Sequence, residues 1–505
     1  MTIRNFDEEK AEVASVHVTD EERGREKSGS LVNANPGSET ADPLLVTWAS
    51  PTDPSNPLNW SRPRKWSILL ITSIGGLVTL MSGAMLAPAL KSIGADLHMM
   101  GAETELALSI YVLAFAPGPL LLGPCSEVFG RRWVWVLSGS WYVLWNTVCG
   151  FANTKGLMIA ARFLAGLGAS AEFVLSTPIS SDCFRPEERG KSMAIKQFIP
   201  LLGPALGPII GGVITDSLNW RWIFWVLSIF DLVVVLAVFF FFPETHHPTI
   251  LARKAAALRK TTGLKYYSAT EIGSPTLTDR LRVGLSRPFR LLLTQPIIQF
   301  MSVFLSYNFG LLYILLSTFA TLWIEHYHQS VGTSGLHYIA IVIGYSLAVV
   351  VGGPTTDRLW AFLKKKNAGA TAPEYRVPLM IPGVLLIPIG LFWYGWAAES
   401  HLHWAMVDVG VGILGCGFIL STVAAQSYIV EAFLEYNASA AAASQVLRNF
   451  FAFAFPIFSP RMYAVLGYGW GNSLLAFVFL AIGVPAPLVL WKYGARLRER
   501  GKPQR

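Results

Sequence analysis

The amino-acid sequence predicts an all-α integral membrane protein with twelve transmembrane helices in two six-helix bundles. Only 14% of the 505 residues are charged, 52% are hydrophobic, and the mean hydropathy is +0.45. A soluble domain usually carries about 25% charged residues. The hydrophobic residues form long runs, and the run at 222–242 lacks the period-two alternation of barrel strands. Because lipid offers the backbone no hydrogen-bond partners, these runs are expected to be helices.

Twelve apolar runs are long enough to cross a bilayer. Six precede a basic central segment and six follow it, which predicts two bundles joined by a cytoplasmic loop. The predicted spans are 66–90, 104–123, 133–151, 157–181, 192–215, 221–242, 298–323, 334–356, 377–398, 402–430, 439–466 and 471–491. The predicted domains are a disordered cytoplasmic tail at 1–60, bundles at 61–243 and 298–493, the loop at 244–297, and a cytoplasmic tail at 494–505.

The distribution of Lys and Arg predicts the orientation. Most of the 40 lie in loops and tails of one side, whereas the opposite loops hold Lys91, Lys155 and Arg221. Positive charge accumulates on the cytoplasmic side, so both termini are expected there. We expect the plasma membrane, and a vacuolar or vesicle membrane stays open. The sequons at Asn59 and Asn437 would then face the cytoplasm and stay unused. Charge spread over loops argues against nucleic-acid binding.

A Gly-Pro pair with an acid four positions after the glycine closes both the second and the eighth span. The acids are Glu127 and Asp357, and this equivalent placement predicts an internal duplication. Such an acid can pair with Arg131 or a neighbouring helix end and act as a charge latch on the inner gate. A plain turn with positive charge is the alternative. The residues assigned to this latch are Gly123, Glu127, Gly130, Arg131, Arg132, Asp357 and Arg358.

The fifth span carries glycines at every fourth position. This spacing predicts a smooth helix face that a second helix can approach closely. Two prolines weaken the local backbone ladder and permit bending. Static packing is the alternative to a role in conformational change. The residues of this pattern are Gly203, Pro204, Gly207, Pro208, Gly211 and Gly212.

These patterns resemble motifs of the major facilitator superfamily. The segment 123–132 is similar to the family signature between helices two and three, although the family has Asp at Glu127 and usually Arg at Val128. The segment 203–212 resembles the antiporter motif G-x-x-x-G-P-x-x-G-G at every specified position. This resemblance implies a pliable interface between the two halves that favours exchange over symport. A partial match in the fourth span implies a role for Arg162 in proton transfer.

A narrower resemblance covers most of the chain. Segments before the first span, after the sixth, before the ninth and at the start of the eleventh look like the fungal branch of the twelve-span drug:proton antiporters. This resemblance implies the major facilitator fold and export of a small hydrophobic or amphipathic molecule, such as a drug, toxin or fungal secondary metabolite. It also implies proton antiport with alternating access, no cofactor and a monomer. A proton symporter or uniporter for an organic acid, polyamine or nutrient is the alternative.

Charged residues inside the spans are the candidates for coupling or cargo binding. A charge at the centre of a span costs about 2.5–3.5 kcal/mol on insertion scales, so each is a functional candidate. Burial favours the protonated form of a carboxyl, which suits Glu172 and Asp231 to proton exchange. A structural pair or a hydrogen-bonded packing role is the alternative. The candidates are Glu172, Asp231, Arg162, Arg448 and the neighbouring Asn449.

An integral membrane enzyme is the competing class. It would need a catalytic constellation such as a His-rich metal cluster, and the nine His residues are not spaced to form one. The four Cys residues fit no zinc or redox motif. We therefore expect no metal site and no enzymatic activity.

Overall fold

The computed structural model describes residues 42, 44–185, 192, 196, 198–200, 202–269, 271, 276–367, 372–433 and 437–500. The chain divides into two units after Leu45, and the fold described below is that of the second unit, Val46–Arg505. Most of the predicted N-terminal tail and the last five residues therefore lie outside the described residues.

The first half contains eight α-helices within the described residues. A short 3-10 turn, Ala87–Ala89, joins the first two. The second predicted span consists of two consecutive helices, α3 and α4. The helices are α1 (Arg62–Ala84), α2 (Leu90–Leu97), α3 (Ala102–Leu113), α4 (Gly118–Phe129), α5 (Arg131–Gly150), α6 (Lys155–Cys183), α7 (Gly203–Ser217) and α8 (Arg221–Phe241).

The central loop contains the helices α9 (His247–Thr262) and α10 (Leu277–Thr294). Arg259 and Lys260 lie in the last turn of α9, where cations stabilise a helix end. A capping box starts α10, because the Thr276 hydroxyl and the Asp279 carboxylate each accept the other's backbone N–H. Two short strands, Leu45–Val46 and Tyr267–Ser268, are also present.

The second half repeats the helical pattern. Short turns at Leu322–His326 and Pro373–Leu379 connect its spans. Its helices are α11 (Pro296–Thr321), α12 (Val331–Leu336), α13 (Ile339–Lys366), α14 (Met380–Glu399), α15 (Trp404–Ala432), α16 (Asn437–Gly483) and α17 (Pro485–Arg500).

Helix α16 is two spans joined at a glycine. Gly467 has a φ of 71° inside this 47-residue element, which breaks the helix there. Glu399 Oε2 accepts the N–H groups of Tyr468 and Gly469 over 2.7 and 3.1 Å. The carboxylate therefore caps the helix that begins after the break.

The described helices account for the twelve predicted spans. Nine helical stretches among the described residues are long and apolar enough to cross a membrane, and one of them, Ala442–Arg498, contains the break at Gly467 and counts as two. The remaining two are α5, which is rich in Trp and Tyr, and α7, of which 15 residues are described. The predicted all-α, twelve-helix fold class is confirmed.

Each half has its own hydrophobic core. One cluster of buried side chains runs through 297–490 and fills the second half, whereas two clusters fill the first half. Large apolar side chains such as Leu137, Phe240 and Phe241 are more than 60% exposed. In a membrane protein such residues form the lipid-facing surface, so the helices are apolar on both faces.

Candidate functional site

Two faces of the molecule are distinguished below. The termini face is the one at which α1 begins and α17 ends. The opposite face is the one at which α1 ends and α6 begins.

A buried carboxyl lies inside the first half, where α6 packs on α1. Glu172 is 6% exposed and accepts a hydrogen bond from the Thr79 hydroxyl. The helices approach closely because residue 75 is glycine: a Cβ there would lie 2.6 Å from Glu172 Oε1. The sequence predicted Glu172 near mid-depth, and the structure places it at a helix contact inside the bundle.

A second buried acid lies on α8 in the same bundle. Asp231 is 1% exposed, and its Oδ2 atom has no hydrogen-bond partner within the described residues. The helices that carry Asp231 and Glu172, α8 and α6, both pack on α1. The ion pairs found in the described part of the chain all involve other acids. We call Glu172 and Asp231 the acid pair, because two buried carboxyls inside one membrane bundle are candidates for proton exchange.

Arg162 of α6 is fully buried, and its guanidinium group binds carbonyl oxygens. It donates to carbonyls of α1 and α3 over 3.1 and 3.3 Å, and it lies 4.4 Å from the Tyr111 ring centroid. The resemblance implied a role for Arg162 in proton transfer, and no direct contact joins Arg162 to Glu172 within the described residues. The connection in the structure is indirect, because Tyr111 donates to the carbonyl of Thr79 over 3.1 Å and Thr79 binds Glu172.

The two halves touch near Arg448 and Asn449 of α16. Asn449 Nδ2 donates to Phe115 O in the first half over 2.8 Å. Arg448 lies 4.2 Å from the Phe309 ring centroid and donates through Nη2 to Gln445 over 3.2 Å. Its Nε atom is buried and has no partner among the described residues. Arg448 therefore retains a donor that a ligand between the halves could use.

Aromatic rings connect the acid-bearing helices to this contact. Phe115 packs edge-to-face on Tyr111 and on Phe173, with centroids 5.4 and 5.6 Å apart. Phe173 follows Glu172 on α6 and is 39% exposed. An amphipathic molecule would find aromatic surface beside the acid pair and a polar group at Arg448.

The latch region at the termini face is centred on Gly130, which has a φ of 93°. A Cβ on this residue would lie 2.2 Å from Glu244 Oε2. Glu244 Oε1 accepts the Arg131 N–H over 2.9 Å and so caps α5. The Arg131 side chain donates to Ser126 over 2.6 Å and pairs with Asp182 over 3.5 Å.

Arg131 and Glu127 have different surroundings, and the latch role of Glu127 stays a prediction. Glu127 is exposed on the last turn of α4, whereas Arg131 is 9% exposed and reaches Asp182 at the end of α6. A Cβ at Gly123 would make an ordinary 3.6 Å contact with Val174, so close approach does not require glycine there. Because the side chain of Arg131 is buried inside the bundle, it meets Asp182 at the end of α6.

The other latch residues are placed as follows. The Arg132 guanidinium donates to the carbonyl of Phe239 and lies 5.6 Å from the Trp133 ring centroid. Arg358 is exposed on α13. The side chain of Asp357 lies outside the described residues, so the duplicated acid stays a prediction.

The glycine pattern of α7 packs within the first half. Cβ atoms at Gly203, Gly207 and Gly211 would lie 2.8, 3.1 and 2.2 Å from atoms of α1 or of Met85 just after it. The resemblance implied an interface between the halves, and for these three positions that expectation was wrong. The adjacent face of α7 carries the interface, since a Cβ at Gly212 would lie 2.8 Å from Val331 O.

The halves are in close contact at the opposite face. A Cβ at Gly335 of α12 would lie 2.6 Å from Pro208 O of α7. The Gly332 N–H donates to Asp216 over 2.7 Å, again from one half to the other. We call the contacts of Pro208, Gly212, Gly332 and Gly335 the opposite-face seal. Close backbone contact of this kind leaves no passage for a solute between α7 and α12. Pro204 is buried near the start of α7.

A cavity of about 850 Å³ lies on the flank of the second half between α13 and α15. Its walls include Ile343 and Val409, and its end at the opposite face holds Asp408, which lies 2.8 Å from His337. Ile343 is 61% exposed. The cavity therefore opens on the outer surface of the second half, and α12 forms part of its wall.

The two sequons differ in what the structure describes. Asn59 donates to Pro51 O over 2.8 Å and accepts from Arg185 over 3.0 Å, so its amide belongs to a folded segment. The side chain of Asn437 lies outside the described residues. That neither is glycosylated stays a prediction.

Sequence reasoning missed several polar contacts. The partners Thr79, Asp182 and Glu244 could not be assigned without the fold. Glu105 of α3 was recognisable, because it is an acid inside a predicted span, and it is 7% exposed. Within the described part of the chain, no group of three or more His, Cys, Asp or Glu is placed to hold a metal.

Comparisons with known proteins identify the family. The model of the Major Facilitator Superfamily matches residues 72–456. "Efflux pump vrtL" of Penicillium aethiopicum is 40% identical over 487 residues, which cover 96% of each chain. "Probable efflux pump mfs2" of Aspergillus flavus is 43% identical over 419 residues, which cover 82% of this chain and 99% of that relative.

Solved structures show the same fold at low sequence identity. The proton:xylose symporter XylE, bound to 6-bromo-6-deoxy-D-glucose, is 18% identical with a TM-score of 0.63, and the match covers 86% of this chain and 96% of XylE. The family match spans most of the chain and agrees with the helical architecture. The chain therefore belongs to the major facilitator superfamily and is a multi-pass membrane transporter, not an enzyme.

Proposed function

We propose that this transporter exports a small hydrophobic or amphipathic organic molecule, such as a drug, toxin or fungal secondary metabolite, in exchange for protons. The observation that carries the proton part is the acid pair, Glu172 and Asp231, two carboxyls that are both buried inside the first bundle. The names of the relatives vrtL and mfs2 support the direction of transport, since both are called efflux pumps.

The acid pair couples the two fluxes through competition. When the pair loses its proton to the cytoplasm, the negative charge favours a cationic or hydrogen-bonding cargo. When the pair takes a proton from the outside, it loses that charge and releases the cargo. The proton is then carried inward on the return step, so one proton enters for each cargo molecule that leaves.

Alternating access requires that each face close in turn. The opposite-face seal, with the Gly332 N–H bound to Asp216 over 2.7 Å, supplies closure on one side. At the termini face, the Arg131–Asp182 pair joins α5 to α6 within the first bundle, so closing that face requires a further contact between the bundles. The bundles at 61–243 and 298–493 are the proposed moving bodies, joined by the loop at 244–297.

The orientation and setting belong to the same proposal. The concentration of Lys and Arg at the termini face supports a cytoplasmic location for both termini. We place the transporter in the plasma membrane as a monomer that uses the proton gradient and no cofactor. The first tail would then be cytoplasmic, and Asn59 and Asn437 would be out of reach of glycosylation.

The cargo can be found by comparing metabolites. Cells with and without the gene are profiled for compounds inside the cells and in the medium. The proposal predicts that at least one organic compound moves from the medium into the cells when the gene is deleted. An identical distribution of compounds would contradict export, and loss of uptake from the medium would favour the alternative, a symporter or uniporter for an acid, polyamine or nutrient.

A further inference from the structure

Glu105 is a buried acid at the contact between the halves, close to the opposite face. It lies in the first turn of α3, is 7% exposed, and faces the Ser317 hydroxyl of α11. Its Oε2 atom is buried with no hydrogen-bond partner in the described part of the chain. The acid belongs to the first half and Ser317 to the second, so closing this face buries Glu105.

Among the described residues, the hydroxyl groups close to Glu105 also have backbone acceptors of their own, and Glu105 Oε2 receives no hydrogen bond. The Ser317 hydroxyl donates to Ile314 O over 3.2 Å, and the nearby Tyr338 hydroxyl donates to Leu316 O over 2.8 Å. Ser317 keeps lone pairs that can accept a proton from a neutral carboxylic acid. The site therefore suits the protonated form of Glu105 and opposes the ionised form.

The cations on neighbouring elements are bound elsewhere. Lys155 of α6 pairs with Glu103 over 2.6 Å, and Lys91 of α2 pairs with Glu325 over 2.5 Å. Helix α11 carries no charged residue. Among the other charged groups on the elements packed against α3, Arg162 binds carbonyls and Tyr111, Arg448 binds Gln445 and Phe309, and Asp96 binds Trp220 and Arg221. Arg461 of α16 is exposed, Glu172 is bound by Thr79, and Asp182 pairs with Arg131. The cations of α1, Arg62, Arg64 and Lys65, lie in its first turn at the termini face.

We propose that Glu105 is a proton-binding site of the outer gate, distinct from the acid pair: protonation lets α3 close against α11, and ionisation favours the open state. This inference rests on the proposed orientation, with the opposite face outside. An outward-open carrier exposes Glu105 to external water, where it can ionise. The gate then closes only after Glu105 has taken a proton from outside. An unprotonated carrier therefore cannot return to the state that is open to the cytoplasm.

A cysteine reporter one turn along α3 tests this proposal. Ser109 is fully buried and Ser109→Cys changes one atom. Intact cells are treated with a membrane-impermeant maleimide at a series of external pH values, and protein without the reporter gives the background. Because thiol reactivity itself rises with pH, the quantity compared is the ratio of the labelling rate in the reporter protein to the rate in the same protein with Glu105→Gln.

The proposal predicts a ratio near one at acid pH that rises with pH, by up to about tenfold per pH unit for a one-proton equilibrium. The matched control is Glu103→Gln combined with Lys155→Gln, which removes the exposed ion pair beside Glu105 without freeing a cation and should label like the parent at every pH. A ratio that stays constant with pH would overturn the proposal. If the ratio rises while reconstituted protein moves no protons with cargo, the Glu105 site stands and the proposed antiport fails.

Discussion

Glu172 and Asp231 are held differently by the first bundle, although both are buried. Glu172 receives a hydrogen bond from Thr79, which stabilises its ionised form. Asp231 Oδ2 has no partner within the described residues. The two acids therefore differ in their contacts, and replacing them one at a time tests which of them exchanges a proton.

The first prediction separates the proton from the cargo. Glu172→Gln should abolish proton-driven accumulation of cargo and leave energy-independent cargo exchange partly intact, because exchange needs no net protonation. Both activities are measured with the identified cargo in reconstituted vesicles, with and without a pH gradient. Asp231→Asn should show this phenotype if Asp231 exchanges the proton instead. Full accumulation in both variants would exclude the acid pair.

The second prediction concerns Gly130. Gly130→Ala should destabilise the protein by about 1–3 kcal/mol, because alanine disfavours the φ of 93° and its Cβ would lie 2.2 Å from Glu244 Oε2. Gly156→Ala in α6 is the matched control, since a Cβ there meets nothing within 4 Å. Thermal unfolding in detergent compares them. Equal midpoints would show that the Glu244 cap contributes little.

At the scale of elements, α7 packs through two distinct faces. Gly203, Gly207 and Gly211 bring it against α1 and Met85, while Pro208 and Gly212 contact the other half. Movement of α7 therefore couples the interior of the first bundle to the opposite-face seal. Helix α1 also contacts Glu172 of α6, at Gly75.

The third prediction tests the stripe on α7. Gly207→Leu should reduce transport strongly, because even a Cβ at this position would lie 3.1 Å from Met81 O. The protein should still reach the membrane, because the substitution removes no charge. Val213→Leu on the same helix is the control, since Val213 is 54% exposed. Export is normalised to surface abundance. Normal export by Gly207→Leu would reduce the stripe to tolerant packing.

At the scale of the whole molecule, two separately packed bundles meet at a seal made largely of backbone and small residues. A contact of this kind closes tightly and yet contains few side chains that must be reorganised when it opens. The Lys91–Glu325 pair is about half exposed and adds little to it. Closure of this face therefore depends on glycine.

The fourth prediction follows from that seal. Gly335→Leu should hold the opposite face open, because its Cβ would lie 2.6 Å from Pro208 O. Transport should be lost, and the Ser109→Cys reporter should label faster from outside. Leu336→Met is the control, since Leu336 is 50% exposed beside it. Slow labelling together with normal transport would show that the seal tolerates a side chain.

The fold could be predicted from the sequence because each membrane helix is recognisable from its own run of apolar residues. Apolar runs located the twelve spans, and the ends differ by a few residues, as in 402–430 against Trp404–Ala432. The same logic found Glu172 and Asp231, since a charge in a span is costly wherever the partner lies. Glu105 carries the same signal, because it lies inside the predicted span 104–123.

Partners could not be predicted, because they depend on packing between distant segments. Thr79 and Glu172 are 93 positions apart, and Arg131 and Glu244 are 113 apart. The sequence predicted that Glu127 pairs with Arg131 or with a neighbouring helix end, but it gave no sign that Arg131 also pairs with Asp182, 51 positions away. The α7 stripe was likewise recognised as a packing face, but its spacing does not state which helix it meets.

Counter-movement of protons and cargo tests the central claim most directly. Purified transporter is reconstituted with a pH-sensitive dye inside the vesicles, and cargo and proton fluxes are recorded together after a cargo gradient is applied. The account predicts proton movement opposite to the cargo, present in the parent and absent in the double variant Glu172→Gln with Asp231→Asn. Protons moving in the same direction as cargo, or cargo moving with no proton flux, would contradict it.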